Sequence, residues 1–326
     1  MKAFTWAGSV TEPGIYLGTP TEDYLNDPCP EPSLNSGVAR LALFRSLKKA
    51  KAAHPRLADF KPDPDEDEEE ERQPKTAMDI GSAAHSLAFG FGKEVVTLHY
   101  KNWRSKAAKA DRKAVRDGGG IPLKVADYKI AKAMAEVARP ILTDLLGGSL
   151  VAEAMITCQD EDGFWYRGLV DRARADMRVI IDYKTTAMDA SPVAAMKSVF
   201  TAVGMPYFQE GFYRRILDRL DPGGIGRRRF CFLYQEQEPP FEPVLIETSE
   251  AGRSLADEQV EGAIALWKRA RLSGEWPGYP LGPHDASPPP WLIDSWTRRA
   301  EVDETLNPPH PDYVGRPATF DHYELS

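Results

Sequence analysis

At 326 residues, with 49 acidic against 41 basic side chains, the chain carries a formal charge of -8 and is long enough to bury a large core. It has no apolar run that could span a bilayer, and its start, MKAFTWAGSVTEPGIY, is broken by polar residues, Gly and Pro, so a cytoplasmic protein is expected. Cys29, Cys158 and Cys231 are odd in number and lack the paired spacing of a zinc or iron–sulfur site, which argues against a disulfide scaffold and a metal-thiolate cluster.

Residues 1–30 read as a Pro-rich N-terminal extension. SLNSGVARLALFRSLKKAKAA follows and predicts one helix: Asn35 or Ser36 can cap it, Leu43 and Leu47 are four apart, and Phe44 is three from both Leu41 and Leu47. DPDEDEEEE, residues 63–71, then holds eight carboxylates, and 49 minus 8 leaves 41 acids against 41 bases, so the remainder of the chain is neutral. A like-charge run repels itself and cannot bury surface, which predicts a disordered insertion over residues 61–75. AMDIGSAAHSLAFG reads as a short helix with Asp79 in its first turn and Gly90 near its end. KNWRSKAAKADRKAVR carries seven bases against a single acid, Asp111, before a GGG break. Recurrence of Ile130, Met134, Val137 and Ile141 predicts a long helix over residues 125–146 that Pro140 can kink.

The character of the sequence then changes. VAEAMITC, FWYRGLV and RVIIDYK are short β-branched or aromatic runs separated by turn residues, which predicts an antiparallel meander. Helices at 192–201 and 206–220, strands RRFCFLYQ and PVLIET, and a helix at 250–273 complete an α/β (α+β) core over residues 31–280, a small mixed sheet flanked by helices. Residues 281–326, Pro-rich and Trp-bearing, read as a tail of loop packed on the core.

Asp-Tyr-Lys occurs twice, and its two settings differ. Asp182 and Lys184 follow Val179, Ile180 and Ile181 on a predicted strand, where alternate residues share a face, so both can act on one ligand. Asp127 and Lys129 sit on the long helix, about 200° apart around its axis, and read as a solvated face. Eleven residues before Asp182, Asp171 ends the FWYRGLV strand, where hairpin geometry can set it beside Asp182. Two such carboxylates repel unless a cation lies between them, and hard oxygen donors suit Mg²⁺ or Mn²⁺. A surface ion pair at a sheet edge is the plainer reading of Asp-x-Lys alone.

GLVDRARADMRVIIDYKTT resembles the second and third motifs of the PD-(D/E)XK nucleases of RecB type, GSAAH (81–85) their Gly-x-x-x-His helix, and QEGFY (209–213) their Gln-x-x-x-Tyr motif. With the basic segment around residue 104 and the late GEWPGY, the chain from about residue 30 to 280 resembles the RecE-like exodeoxyribonuclease VIII of phages and prophages. The resemblance implies a restriction-endonuclease-like core and a 5′ to 3′ exonuclease on double-stranded DNA ends in phage-type recombination. It also implies a ring-shaped homo-oligomer that hands its product to a RecT-like single-strand annealing protein. It implies that His85, Asp171 and Asp182, with the Tyr183 carbonyl, bind one or two Mg²⁺ (or Mn²⁺) ions, that Lys184 orients the attacking water, and that Gln209 and Tyr213 position the DNA strand. Glu153 is a lesser candidate for the cluster, a paired edge carboxylate being the alternative. Backbone neutralisation makes Arg104, Lys106, Lys109, Arg112, Lys113 and Arg116 candidates for phosphate contact, a solvated basic helix being the alternative. The competing readings are a non-catalytic DNA-end-binding scaffold and a RecB-type endonuclease or repair nuclease.

Overall fold

The computed structural model describes residues 1–59, 75–147, 149–284 and 286–303. The acidic insertion, apart from Lys75, lies outside the described residues. In chain order the elements are β1 (Ala3–Thr5), β2 (Gly14–Leu17), α1 (Thr21–Leu25), α2 (Ser36–Phe44), α3 (Leu47–Ala53), α4 (Lys75–Phe89), β3 (Val95–Leu98), α5 (Lys106–Asp117), β4 (Ile121–Lys124) and α6 (Val125–Leu146). Then come β5 (Leu150–Gln159), β6 (Trp165–Arg174), β7 (Val179–Thr186), α7 (Pro192–Thr201), α8 (Pro206–Leu220), β8 (Arg229–Glu236), β9 (Pro243–Ile246) and α9 (Glu250–Ser273). One compact unit covers Met1–Tyr279 and a second begins at Pro280.

A seven-stranded mixed sheet runs β1-β2-β5-β6-β7-β8-β9, and β3 and β4 form a separate parallel pair. The predicted meander is β5-β6-β7, antiparallel throughout, whereas β7 and β8 pair in parallel. Alternation along the central strands builds a core on each face. Ile180, Phe230 and Phe232 pack with α2, α8 and α9 through Val38, Phe208, Phe212 and Trp267. Ile181, Tyr183, Cys231 and Leu233 pack with α4 and α6 through Ala83, Ala84, Met134 and Ala138. Strands buried on both faces explain why RVII and FCFL read as unbroken apolar runs.

The helices over 192–201, 206–220 and 250–273 lie where the sequence predicts them, and α6 runs unbroken through Pro140. Four differences have physical causes. The helix predicted across residues 33–53 is two: the backbone leaves helical geometry at Arg45, and Ser46 starts α3 by accepting the Lys49 N–H at 3.2 Å. The N-terminal stretch supplies two strands, β1 and β2, that extend the main sheet through β5, and Tyr16, Met155 and Trp165 bury together beneath them. Asp127 is buried rather than solvated, its charge answered by Lys124 at 3.2 Å. The second unit, expected as loop, holds a helix, α10 (Pro290–Val302), and Pro290 suits its first position because that N–H has no partner within a helix.

Candidate active site

The site begins where two strands part. β6 and β7 pair only at Arg172↔Ile181 and Ala173↔Ile180, while β6 stays paired to β5 and β7 to β8. Asp171 and Asp182 are the next residues beyond the last rung, one on each arm of the fork, and their carboxyls are immediate neighbours. The hairpin thus brings the two carboxyls together, Asp182 buried and Asp171 part-exposed.

Helix α4 closes one side. A Cβ at Gly81 would come within 2.2 Å of Thr185 Oγ1, so glycine is what lets α4 lie against the end of β7. One turn on, His85 Nε2 lies 3.4 Å from Asp171 Oδ2, and its ring stacks on Tyr183 with centroids 6.1 Å apart. Lys184 Nζ lies 2.8 Å from Asp182 Oδ2. His85, Asp171, Tyr183 and Lys184 line one cavity of about 850 Å³, and Lys93 and Glu153 complete its rim. Glu153 adopts φ 43° on β5 between the paired residues Ala152 and Ala154, a conformation that a strand glutamate rarely takes.

Electrostatics separates the two aspartates. Burial pushes the Asp182 carboxyl up to about 6, Lys184 opposing and Asp171 adding to the rise. Burial would also raise Asp171, but the His85 hydrogen bond and the charges of His85 and Lys184 hold it below the ordinary carboxylate value. Burial would lower His85 and Lys184; the neighbouring carboxylates outweigh it and raise both, so the amine stays cationic. Burial raises Glu153 too.

Among the described residues, no group of three or more His, Cys, Asp or Glu side chains is placed to hold a metal ion as it stands. The expected convergence of His85, Asp171 and Asp182 is replaced by pairing, imidazole to Asp171 and amine to Asp182. The chemistry of the set nevertheless fits a hard divalent ion. Asp182 Oδ1 is buried without a hydrogen-bond partner, Oδ2 meets only the Lys184 ammonium, and a second carboxylate and an imidazole lie beside them.

Gln209 and Tyr213 do not line this cavity. They belong to α8 on the opposite face of the sheet, where the buried Tyr213 hydroxyl accepts from Gln209 Nε2 at 3.2 Å and from the Leu169 N–H at 3.4 Å. A Cβ at Gly168 would meet the Tyr213 ring at 2.7 Å, so this tyrosine braces β6 from below, close enough for Asp171 and Asp182 to act on it. Arg104, just before α5, and Lys106, Lys109 and Lys113 on it are exposed. Arg112 differs from the expectation: it is 6% exposed, 3.2 Å from Asp79 on α4, and 5.0 Å over the Trp103 ring. Arg116 reaches the same Asp79 at 2.8 Å, so these two arginines clamp α5 to the histidine helix.

Sequence reasoning missed Tyr234 and Lys93. Tyr234 lies opposite Lys184 on β8 with its hydroxyl buried, and the charges of Lys184 and Asp182 act on it. Only the parallel register of β7 and β8 could have singled it out. Lys93 sits in a loop with no periodicity to mark it.

A family model described as "PDDEXK-like domain of unknown function (DUF3799)" matches residues 49–281. The chain belongs to this family. No curated protein matches the chain. Among solved structures, one called "Putative exonuclease", from Eubacterium rectale, is 14% identical, with a TM-score of 0.47 over 81% of this chain and 92% of that one. Another, "SSO0001", is 10% identical, with a TM-score of 0.25 over 57% of this chain and 84% of that one.

Proposed function

We propose that this PDDEXK-like domain is a divalent-metal-dependent nuclease that digests double-stranded DNA from its ends. The observation that supports it most is the fork, which sets Asp171 beside the buried Asp182, with Asp171, His85 and Lys184 lining one cavity. Asp171, Asp182 and His85 would hold the ion, with the Tyr183 carbonyl and Glu153 as further donors. When bound, a divalent ion supplies an acidified water and charge to offset the crowded phosphate.

The chain's own groups do the rest. The Lys184 ammonium, held by Asp182, places a positive charge where the phosphate gathers negative charge. Tyr213 and Gln209 fix β6 and hence the position of Asp171, a bracing role in place of the strand contact that the resemblance implies. Exposed Arg104, Lys106, Lys109 and Lys113 neutralise backbone phosphates without reading sequence. The 5′ to 3′ polarity, the ring-shaped oligomer, the RecT-like annealing partner and a place in phage-type recombination follow from the resemblance to RecE-like exonucleases.

End-labelled linear duplex should be digested with Mg²⁺ and not with EDTA, and digestion should vanish in Asp182→Ala and Lys184→Ala. Digestion that survives both substitutions rejects the site. Cutting of covalently closed circles turns the reading to an endonuclease, and binding without turnover in any divalent ion turns it to a scaffold.

A further inference from the structure

The β3–β4 pair connects the catalytic cavity to a second one. Lys93 and Ile121, at the beginnings of the two strands, line the first cavity. The far ends deliver His99, Tyr100, Lys101 and Lys124 to a notch of about 530 Å³, which Lys129 of α6 completes. Parallel pairing from Val95↔Ile121 to Leu98↔Lys124 holds the two cavities at opposite ends of one four-residue ribbon, a rise of about 10 Å.

The notch is electropositive within an acidic chain. Its neighbouring carboxylates are engaged: Asp127 pairs with Lys124 at 3.2 Å, and Asp111 accepts the Tyr100 hydroxyl at 2.5 Å. Lys101 and Lys129 form no ion pair among the described residues. Like charges gathered in a concavity repel one another, and an anion seated among them relieves the repulsion. Beyond Lys101 the chain carries further exposed bases at Arg104, Lys106 and Lys109. A series of cations leading away from a phosphodiester-cutting site matches the repeating charge of a duplex backbone rather than a lone small anion.

We propose that this notch seats a backbone phosphate of the duplex a few base pairs from the scissile bond, since a ribbon of about 10 Å stands between the notch and the rim of the catalytic cavity. The notch sets how far the DNA end enters the catalytic cavity. It rests on the nuclease reading and adds to it a registering contact outside the catalytic residues.

The test uses the full chain carrying Asp182→Asn, so that duplex persists, and measures binding of a short blunt duplex by anisotropy across a KCl series. Adding Lys101→Ala and Lys129→Ala should lower the slope of log K against log salt by about 1, the one phosphate that the notch neutralises. Lys101→Arg with Lys129→Arg should restore it. A single neutral methylphosphonate placed at successive steps from the end should weaken the parent most at one particular step and leave the double variant indifferent there. An unchanged slope, or a loss equal at every step, overturns the notch while leaving the nuclease reading in place. A parent that binds no duplex overturns both.

Discussion

A buried carboxylate with one oxygen left unpartnered, as Asp182 is, raises the free energy of the folded chain, and the Lys184 ammonium 2.8 Å from the other oxygen offsets only part of that. Asp182→Asn keeps the shape and removes the buried charge. Without divalent ions the variant should therefore be more stable than the parent, on the order of 1 kcal/mol, while hydrolysis falls by about 10² or more. Thermal melts settle it: Mg²⁺ should raise the parent's midpoint and leave that of Asp182→Asn unchanged. A variant less stable than its parent would mark Asp182 as one half of a structural ion pair. Lys184→Ala separates binding from chemistry. It should keep the ion-induced rise in melting temperature yet lose about 10²- to 10³-fold in single-turnover rate, because its charge acts on the phosphate rather than on the ion.

Helix α4 reaches the sheet because Gly81 leaves room for Thr185, and helix propensity and packing oppose each other at this position. Alanine is favoured over glycine by about 1 kcal/mol within a helix, but a Cβ 2.2 Å from Thr185 Oγ1 must push α4 and β7 apart. Gly81→Ala should cost about 1–3 kcal/mol in a denaturant melt and displace His85 from Asp171, with a matching loss of activity. Thr185→Ala in the same chain should recover most of both, and failure to recover would mean that Thr185 is not what the glycine accommodates. The sequence shows the long helices, because α6, α8 and α9 repeat their apolar residues at helical spacing over many turns. It also distinguishes the two Asp-Tyr-Lys copies, since strand and helix treat a two-residue spacing in opposite ways. It does not show the fork: pairing that ends at Arg172↔Ile181 depends on β5 and β8 holding the two arms, and neither arm encodes it. β1 and β2, of three and four residues, are too short for a period of two to register. Arg112 did carry a signal, because it lies one turn from Ala108, which is fully buried, and so shares the inward face of α5.

The unit extends beyond the residues that match the family model, because the N-terminal stretch is tied into the sheet by buried charge. Asp27 and Arg167 of β6 are both inaccessible and 3.1 Å apart, with Ser33 and His54 satisfying the remaining Asp27 valences. Burial opposes ionisation of Asp27, but His54, Arg167 and Ser33 outweigh it and lower its pKa from 3.8. A depressed folded-state pKa contributes stability that is present above the unfolded value and lost as pH falls through the folded one. Acid melts should therefore steepen below about pH 4 in the parent and less so in Asp27→Asn, while Asp27→Ala should cost about 3–5 kcal/mol at neutral pH by stranding Arg167. Charge at the largest scale is set elsewhere: removing residues 63–71 takes the formal charge from -8 to 0, since the run holds eight carboxylates and no base. If those carboxylates act only through the long-range field, their reach is the Debye length, about 8 Å at 0.15 M salt and about 30 Å at 0.01 M. Deleting residues 63–71 should then leave duplex affinity unchanged at physiological salt and raise it only at low ionic strength. A gain that persists at 0.15 M would show instead that the acidic run competes directly with DNA for the basic surface of α5, which makes the salt dependence of the deletion, not its size, the deciding measurement.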